Sequence, residues 1–225
     1  MEEIYVDPEL ITLLEKVKHI DDPWRQDLAV ASIITKVFDD NHVTAPVIVG
    51  GLVVATYTQG LYKSRDIDLI AVNTEFPYRV MEHLGYAKID SKDCFHPELK
   101  SIVEFPSGRY SGSYDRVLDY EIEETGLVVH VQGMEDIILD RIEAYAASSD
   151  QRSLEWALKM MGVLYDELDW TYCHTEASKR HILRDFENIQ HSIKRYKDDY
   201  MKMIDKVNEQ RKTRKLNNII TKKTD

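Results

Sequence analysis

The sequence predicts an α+β fold, a mixed β-sheet flanked by helices with a C-terminal helical extension. Short apolar runs rich in β-branched residues alternate with turn glycines between residues 46 and 131. Helical periodicity takes over after Gly133. The charge balance then reverses along the chain: residues 1–173 carry 15 basic against 32 acidic side chains, and residues 174–225 carry 14 against 8. With 225 residues, 43% hydrophobic and 31% charged, the chain suffices for one sizeable core and an appendage, and it is unlike a disordered or collagen-like composition.

Each element has its own signal. Leu10, Leu13, Leu14 and Val17 fall on one face of a first helix, and Val30, Ile33, Ile34, Val37 and Phe38 on one face of a second. Pro46 to Val49 is an apolar run closed by Gly50-Gly51, which reads as a buried strand that turns sharply. Leu52 to Thr58 gives a short helix stopped by Gly60, and Ile67 to Val72 gives a second buried strand. Pro77 to Leu84 forms another helix before Gly85. Ser101 to Phe105, Val117 to Ile122 and Leu127 to Val131 supply further strands. Past Gly133, Ile138, Ile142, Tyr145 and Ala146 share one helical face, and Leu154, Ala157, Leu158, Met161, Leu164 and Tyr165 share another, which makes a helical cap.

The tail differs from the body. Ile182, Phe186, Ile189, Ile193, Tyr196, Tyr200, Met203 and Val207 recur every three or four residues, the period of one long amphipathic helix over 182–207. Leu183 and Ile204 widen its stripe, and Asp199 faces no obvious cation. The seam packs either on the body or on a second copy as a homodimer. Without a Gly- or Pro-rich linker, the charge change alone places the boundary near Trp170 to His174. The expected division is a domain over 1–173, with its N-terminal helices and helical cap, and one long amphipathic basic C-terminal helix over 174–225. The basic end, Arg211-Lys212-Thr213-Arg214-Lys215 with Lys222-Lys223, reads as a solvated helix end or a contact for RNA or an acidic partner.

Composition excludes several classes. A formal charge of −11 argues against a general nucleic-acid coat. No stretch approaches the roughly 18 apolar residues of a membrane span, and Met1-Glu2-Glu3 is acidic where a secretory signal is basic, so a cytoplasmic location is expected. Two cysteines, Cys94 and Cys173, give no disulfide framework, and no histidine pairing has zinc spacing.

The chemistry concentrates in Arg65-Asp66-Ile67-Asp68-Leu69-Ile70. Residues i and i+2 of a strand point the same way, so Asp66 and Asp68 project together while Ile67 enters the core. Two carboxylates held side by side repel and lose hydration, a conflict that a divalent cation resolves. Glu104, a charge inside the apolar run Ser101 to Phe105, completes a three-carboxylate set if the two strands are neighbours. Such oxygen donors suit Mg²⁺. A solvated strand edge has the same Asp-x-Asp composition. Gly51 stands 15 residues before Asp66. The glycine pair allows a tight bend and close approach to a ligand, and the helix start after it favours an anion. It lacks the Gly-Lys-Ser/Thr of a P-loop and the GxGxxG of a dinucleotide site. The loop Ser107 to Tyr114 is polar and aromatic, and is either a plain connection or a surface for stacking on a base.

Gly50-Gly51, a short helix, Ser64-Arg65-Asp66-Ile67-Asp68-Leu69 and Val103-Glu104-Phe105-Pro106 together resemble the DNA polymerase β-like nucleotidyltransferase superfamily. The likeness is to bacterial groups with a Gly-Gly turn and a hydroxyl residue, here Ser64, two before the first Asp. Those groups include nucleotidyltransferases of toxin–antitoxin and abortive-infection systems. The resemblance covers roughly residues 45–165. It implies a nucleotidyltransferase-like sheet within the 1–173 domain and transfer of a nucleoside monophosphate from an NTP such as ATP to a hydroxyl of tRNA or protein. It implies two Mg²⁺ ions with NTP bound, with Asp66 and Asp68 on one and Asp68 and Glu104 on the other, and Glu104 as general base. Gly50, Gly51 and Ser64 would lie at the phosphates. Lys63, Arg65 and Arg141 are either partners of the pyrophosphate or ordinary surface charges. Many active members carry Ser where this chain has Gly51, which leaves phosphate contacts there to the backbone. A toxin or antitoxin partner is implied as well. Two other functions fit: a catalytically degenerate nucleotidyltransferase-fold binding or antitoxin module, and a metal-dependent nuclease.

Overall fold

The computed structural model describes residues 3–72 and 75–193, together with residues 199, 202, 205, 206 and 209. Helix α1, Pro8–Val17, starts where Asp7 accepts a bond from the Glu9 N–H at 2.9 Å, with Pro8 in the first turn. It buries Leu10, Leu14 and Val17. Helix α2, Pro23–Asp40, is buried over nearly all of Leu28 to Phe38, not along one stripe. Its polar Ser32 is accommodated by donating to the Ala29 carbonyl at 2.8 Å and meeting the Thr125 hydroxyl at 2.9 Å.

The chain then runs through β1 (Val47–Val49), α3 (Gly50–Tyr57), β2 (Ile67–Ile70) and α4 (Phe76–His83). Next come β3 (Ala87–Lys88), β4 (Asp93–His96), β5 (Ser101–Glu104), β6 (Leu118–Ile122) and β7 (Leu127–Val131). One seven-stranded sheet has the order β3-β4-β5-β2-β1-β7-β6. The pairs β2–β5 and β1–β7 are parallel and the rest antiparallel, so the sheet is mixed, as the sequence predicts. The β3–β4 hairpin is absent from the sequence prediction. Its strands are short and partly exposed, with no clear apolar alternation. The core lies where α2 and α3 cover the sheet: Ile33, Ile34, Leu52, Val53, Ile67, Leu69, Val103 and Val129 are fully buried there.

Two compact units divide the chain, Met1–Ile137 and Ile138–Asp225. The boundary expected near Trp170 to His174 is not a packing boundary, because helix α7, Trp170–Lys179, runs through it. Charge marks a change of surface, whereas a unit is set by which apolar faces meet. Helix α5, Met134–Ser148, begins in the first unit and continues into the second, where α6, Gln151–Val163, follows. The tail is not one helix from residue 174. After α7, His181 takes a left-handed φ of 60°, and α8, Leu183–Ile193, begins. Ile182, Phe186, Ile189 and Ile193 of the predicted seam are buried, with α8 packed on α6 and α7. Tyr196, Tyr200, Met203, Ile204, Val207 and the basic end lie outside the described residues. Asp199 does meet a cation, Lys202, at 3.6 Å. Among the described residues no helix is long and apolar enough to cross a membrane.

Candidate metal and phosphate site

Strand β1 delivers the chain to Gly50, whose φ of 69° is a left-handed turn that suits glycine. Val49 pairs with Asp68 across the antiparallel β1–β2 ladder, so the turn meets the acidic end of β2. The approach is close. A Cβ on Gly50 would lie 2.1 Å from Asp68 Oδ2, and one on Gly51 would lie 2.4 Å from Ser64 Oγ and 3.0 Å from the Tyr62 ring. Space therefore disfavours a side chain at both positions, and at Gly50 the left-handed turn does so as well. The Ser64 hydroxyl donates to the Asp66 carbonyl at 2.8 Å, fixing the backbone that leads into β2.

Asp66 immediately precedes β2 and Asp68 is its second residue, while Ile67 and Leu69 are fully buried. Parallel pairing sets Asp68 opposite Glu104 of β5. One carboxylate oxygen from each of Asp66, Asp68 and Glu104 lies within 4.8 Å of the others, and all three residues are half-buried. The three predicted acids are thus gathered from two neighbouring strands. Burial first, and then the charge of Glu104, raises the Asp66 carboxyl above the ordinary carboxylate value, with Arg65 and Lys92 opposing. Three hard oxygen donors in one cluster, beside a backbone turn that leaves no room for a side chain, fit a divalent cation such as Mg²⁺.

Of the predicted basic residues, Lys63 and Arg65 are exposed on the segment between α3 and β2, and the charge of Arg65 acts on Asp66. Arg141 belongs to α5 in the second unit, where its charge acts on Asp150. The loop after Glu104 is anchored: the Ser113 N–H donates to Asp136 Oδ2 at 2.8 Å, and Tyr110 packs edge-on against Tyr114 at 4.9 Å. Gly112 is enclosed there, since a Cβ would come within 2.5 Å of Asp136 Oδ2 and the Tyr110 hydroxyl oxygen.

Three charged neighbours went unnoticed in the sequence. Asp27 of α2 is pushed up to about 7, chiefly by burial and further by the charge of Asp66. The pattern held a signal for it: Asp27 precedes Val30, Ala31 and Ile34 by three, four and seven residues and so shares their buried face. Asp93 stands opposite Glu104 in the β4–β5 ladder. Lys92 donates to Glu104 Oε1. These two depend on the β4 pairing, which has no local sequence signature. No model of a known protein family matches the chain, and no curated protein matches it in sequence.

Proposed function

We propose that the protein is a Mg²⁺-dependent nucleotidyltransferase that moves a nucleoside monophosphate from an NTP to an acceptor hydroxyl. The observation that carries this reading is the junction of the left-handed glycine turn with the three carboxylates, Gly50 lying against Asp68 and the acid oxygens within 4.8 Å of one another. An acid cluster alone suits hydrolysis equally well. The backbone turn at the start of α3 adds a place for phosphate oxygens, where unpaired N–H groups favour an anion.

Asp66 and Asp68 would hold the cation at the triphosphate, and Asp68 with Glu104 one near the acceptor. Divalent cations bound there polarise the phosphoryl oxygens and ease ionisation of the attacking hydroxyl. The residues of the chain do the rest. The Gly50-Gly51 backbone would receive the phosphates, and Asp68 would contribute to both cation positions. Glu104 accepts the proton of the acceptor hydroxyl as its oxygen bonds to the α-phosphorus and the bond to pyrophosphate breaks. Arg65, exposed with its charge acting on Asp66, would meet departing negative charge.

A second reading, a nucleotidyltransferase-like binding module without chemistry, is favoured by the Lys92 contact, which already occupies one Glu104 oxygen. One experiment separates the two. Protein incubated with labelled NTPs, Mg²⁺, total tRNA and cell extract should transfer label to tRNA or protein, and Asp68→Ala should abolish the transfer. Transfer unchanged in that variant would remove the site assignment, and calorimetry showing no binding of ATP with Mg²⁺ would favour the module. A role in a bacterial toxin–antitoxin or defence system belongs to this same proposal and would be supported by an acceptor found on tRNA or on a partner protein.

A further inference from the structure

Lys92 ends on the carboxylate cluster, although it lies in neither strand that carries the acids. Its backbone is held in place: the Lys92 N–H donates to Asp90 Oδ1 at 2.9 Å, and its carbonyl accepts from the N–H of Phe105 at 3.0 Å. Phe105 follows Glu104, and Asp93, next to Lys92, stands opposite Glu104 in the sheet. The base of the lysine is therefore fixed beside Glu104, and its ammonium reaches that carboxylate through a half-exposed side chain. The Lys92 side chain is 49% exposed and the Glu104 side chain 17%.

We propose that Lys92 is an internal counter-ion of the carboxylate site, occupying Glu104 until a divalent cation displaces it. This rests on the metal-binding reading above and adds a control on when the site fills. Three carboxylates within one 4.8 Å cluster need positive charge nearby. The ammonium supplies one unit of it, donating to Glu104 and acting on Asp66. A divalent cation bound by Glu104 meets the ammonium on the same carboxylate and repels it at such short range, so the two compete for the site. Displacement costs little because the lysine end is half exposed. Asp90 and Asp93 already act on its charge and receive it when it leaves Glu104. Lys92 is thus a positioning residue that engages the Glu104 carboxylate and sets the cation concentration at which Glu104 becomes a ligand.

The test uses Mn²⁺ as the probe, with free Mn²⁺ followed by electron paramagnetic resonance. The full chain, Lys92→Met, Lys92→Gln, Asp68→Asn and Lys88→Met are compared. Lys88, in the hairpin strand β3, serves as the control for a charge lost away from the acids, since its ammonium sits 3.8 Å from the centre of the Tyr78 ring of α4. Loss of an exposed competing ion pair should tighten Mn²⁺ binding about fivefold in both Lys92 variants and by less than about twofold in Lys88→Met. Binding in the full chain that Asp68→Asn removes, but that is unchanged or weaker in both Lys92 variants, overturns the counter-ion role and leaves the metal site standing. Absence of saturable binding in the full chain, or binding that survives Asp68→Asn, overturns both. Equal tightening in Lys88→Met also overturns it, because net charge would then suffice.

Discussion

At the scale of single residues, the site depends on the absence of side chains as much as on their presence. Gly50→Ala places a methyl group where Asp68 Oδ2 now lies and keeps a φ that alanine adopts poorly. The conformational cost is about 1 kcal/mol, and the Asp68 carboxylate must also leave its present position. Stability should therefore fall by roughly that amount in urea titrations, whereas Mn²⁺ binding should weaken by tenfold or more, as when a group that orients a metal ligand is lost. A fall in stability with Mn²⁺ affinity intact would mean that Asp68 is not a ligand. Gly51 makes a different prediction. Its added Cβ meets the Ser64 hydroxyl, which itself bonds the Asp66 backbone. Gly51→Ala and Ser64→Ala should accordingly be coupled: the double variant should be about 1 kcal/mol more stable than the sum of the single effects implies, because removing Ser64 Oγ clears the space.

At the scale of elements, the helix ends follow from capping chemistry and can be tested one by one. Asp169 accepts from the Tyr172 N–H at 3.0 Å and opens α7, the helix against which α8 buries Phe186. Asp169→Ala should cost about 1 kcal/mol through its lost cap, a loss that Asp22→Ala should not share, since Asp22 makes no side-chain capping bond to α2. Equal losses by thermal denaturation would contradict the difference in geometry. Elements with strong apolar periodicity were legible in the sequence: α1, β1, β2, β5 and β7 lie where Leu10, Val47, Ile67, Val103 and Val129 indicate. The β3–β4 hairpin was not, since Ala87-Lys88 and Asp93 to His96 owe their pairing to tertiary contact. That omission had a chemical consequence, because β4 brings Asp93 and Lys92 to Glu104. Asp66, Asp68 and Glu104 were legible because a charge inside an apolar strand is anomalous wherever the strand ends up. Lys92 carried no such signal, as an exposed lysine beside a turn is ordinary.

At the scale of the whole molecule, one buried and one half-buried titrating group, His96 and Asp27, give the stability a predictable response to pH. His96 is buried and its Nδ1 accepts from the N–H groups of Glu98 and Leu99 at 3.3 and 3.2 Å. Protonating Nδ1 would set three donors facing one another. Burial, and then the charge of Lys18, holds the imidazole below its ordinary 6.5. The unfolded chain thus takes up a proton first, so the contribution of His96 is complete above pH 6.5 and is lost as pH falls toward the folded value. Asp27 acts in the other direction. Its folded value of about 7 exceeds the ordinary 3.8, so the unfolded chain releases a proton that the folded chain keeps. Stability is unaffected below about pH 4, falls as pH rises toward 7, and is then lower by on the order of 4 kcal/mol. Urea titrations in EDTA between pH 4.5 and 8 should separate the two. Asp27→Asn should gain stability relative to the native chain as pH rises, with most of the gain present by pH 8. His96→Asn, which keeps an acceptor near Nδ1 but cannot be protonated there, should lose the acid-side decline. Adding Mn²⁺ should then diminish the Asp27 effect, because a cation at Asp66 offsets the repulsion that helps keep Asp27 protonated. An Asp27 contribution identical with and without saturating Mn²⁺ would place the cation away from Asp66.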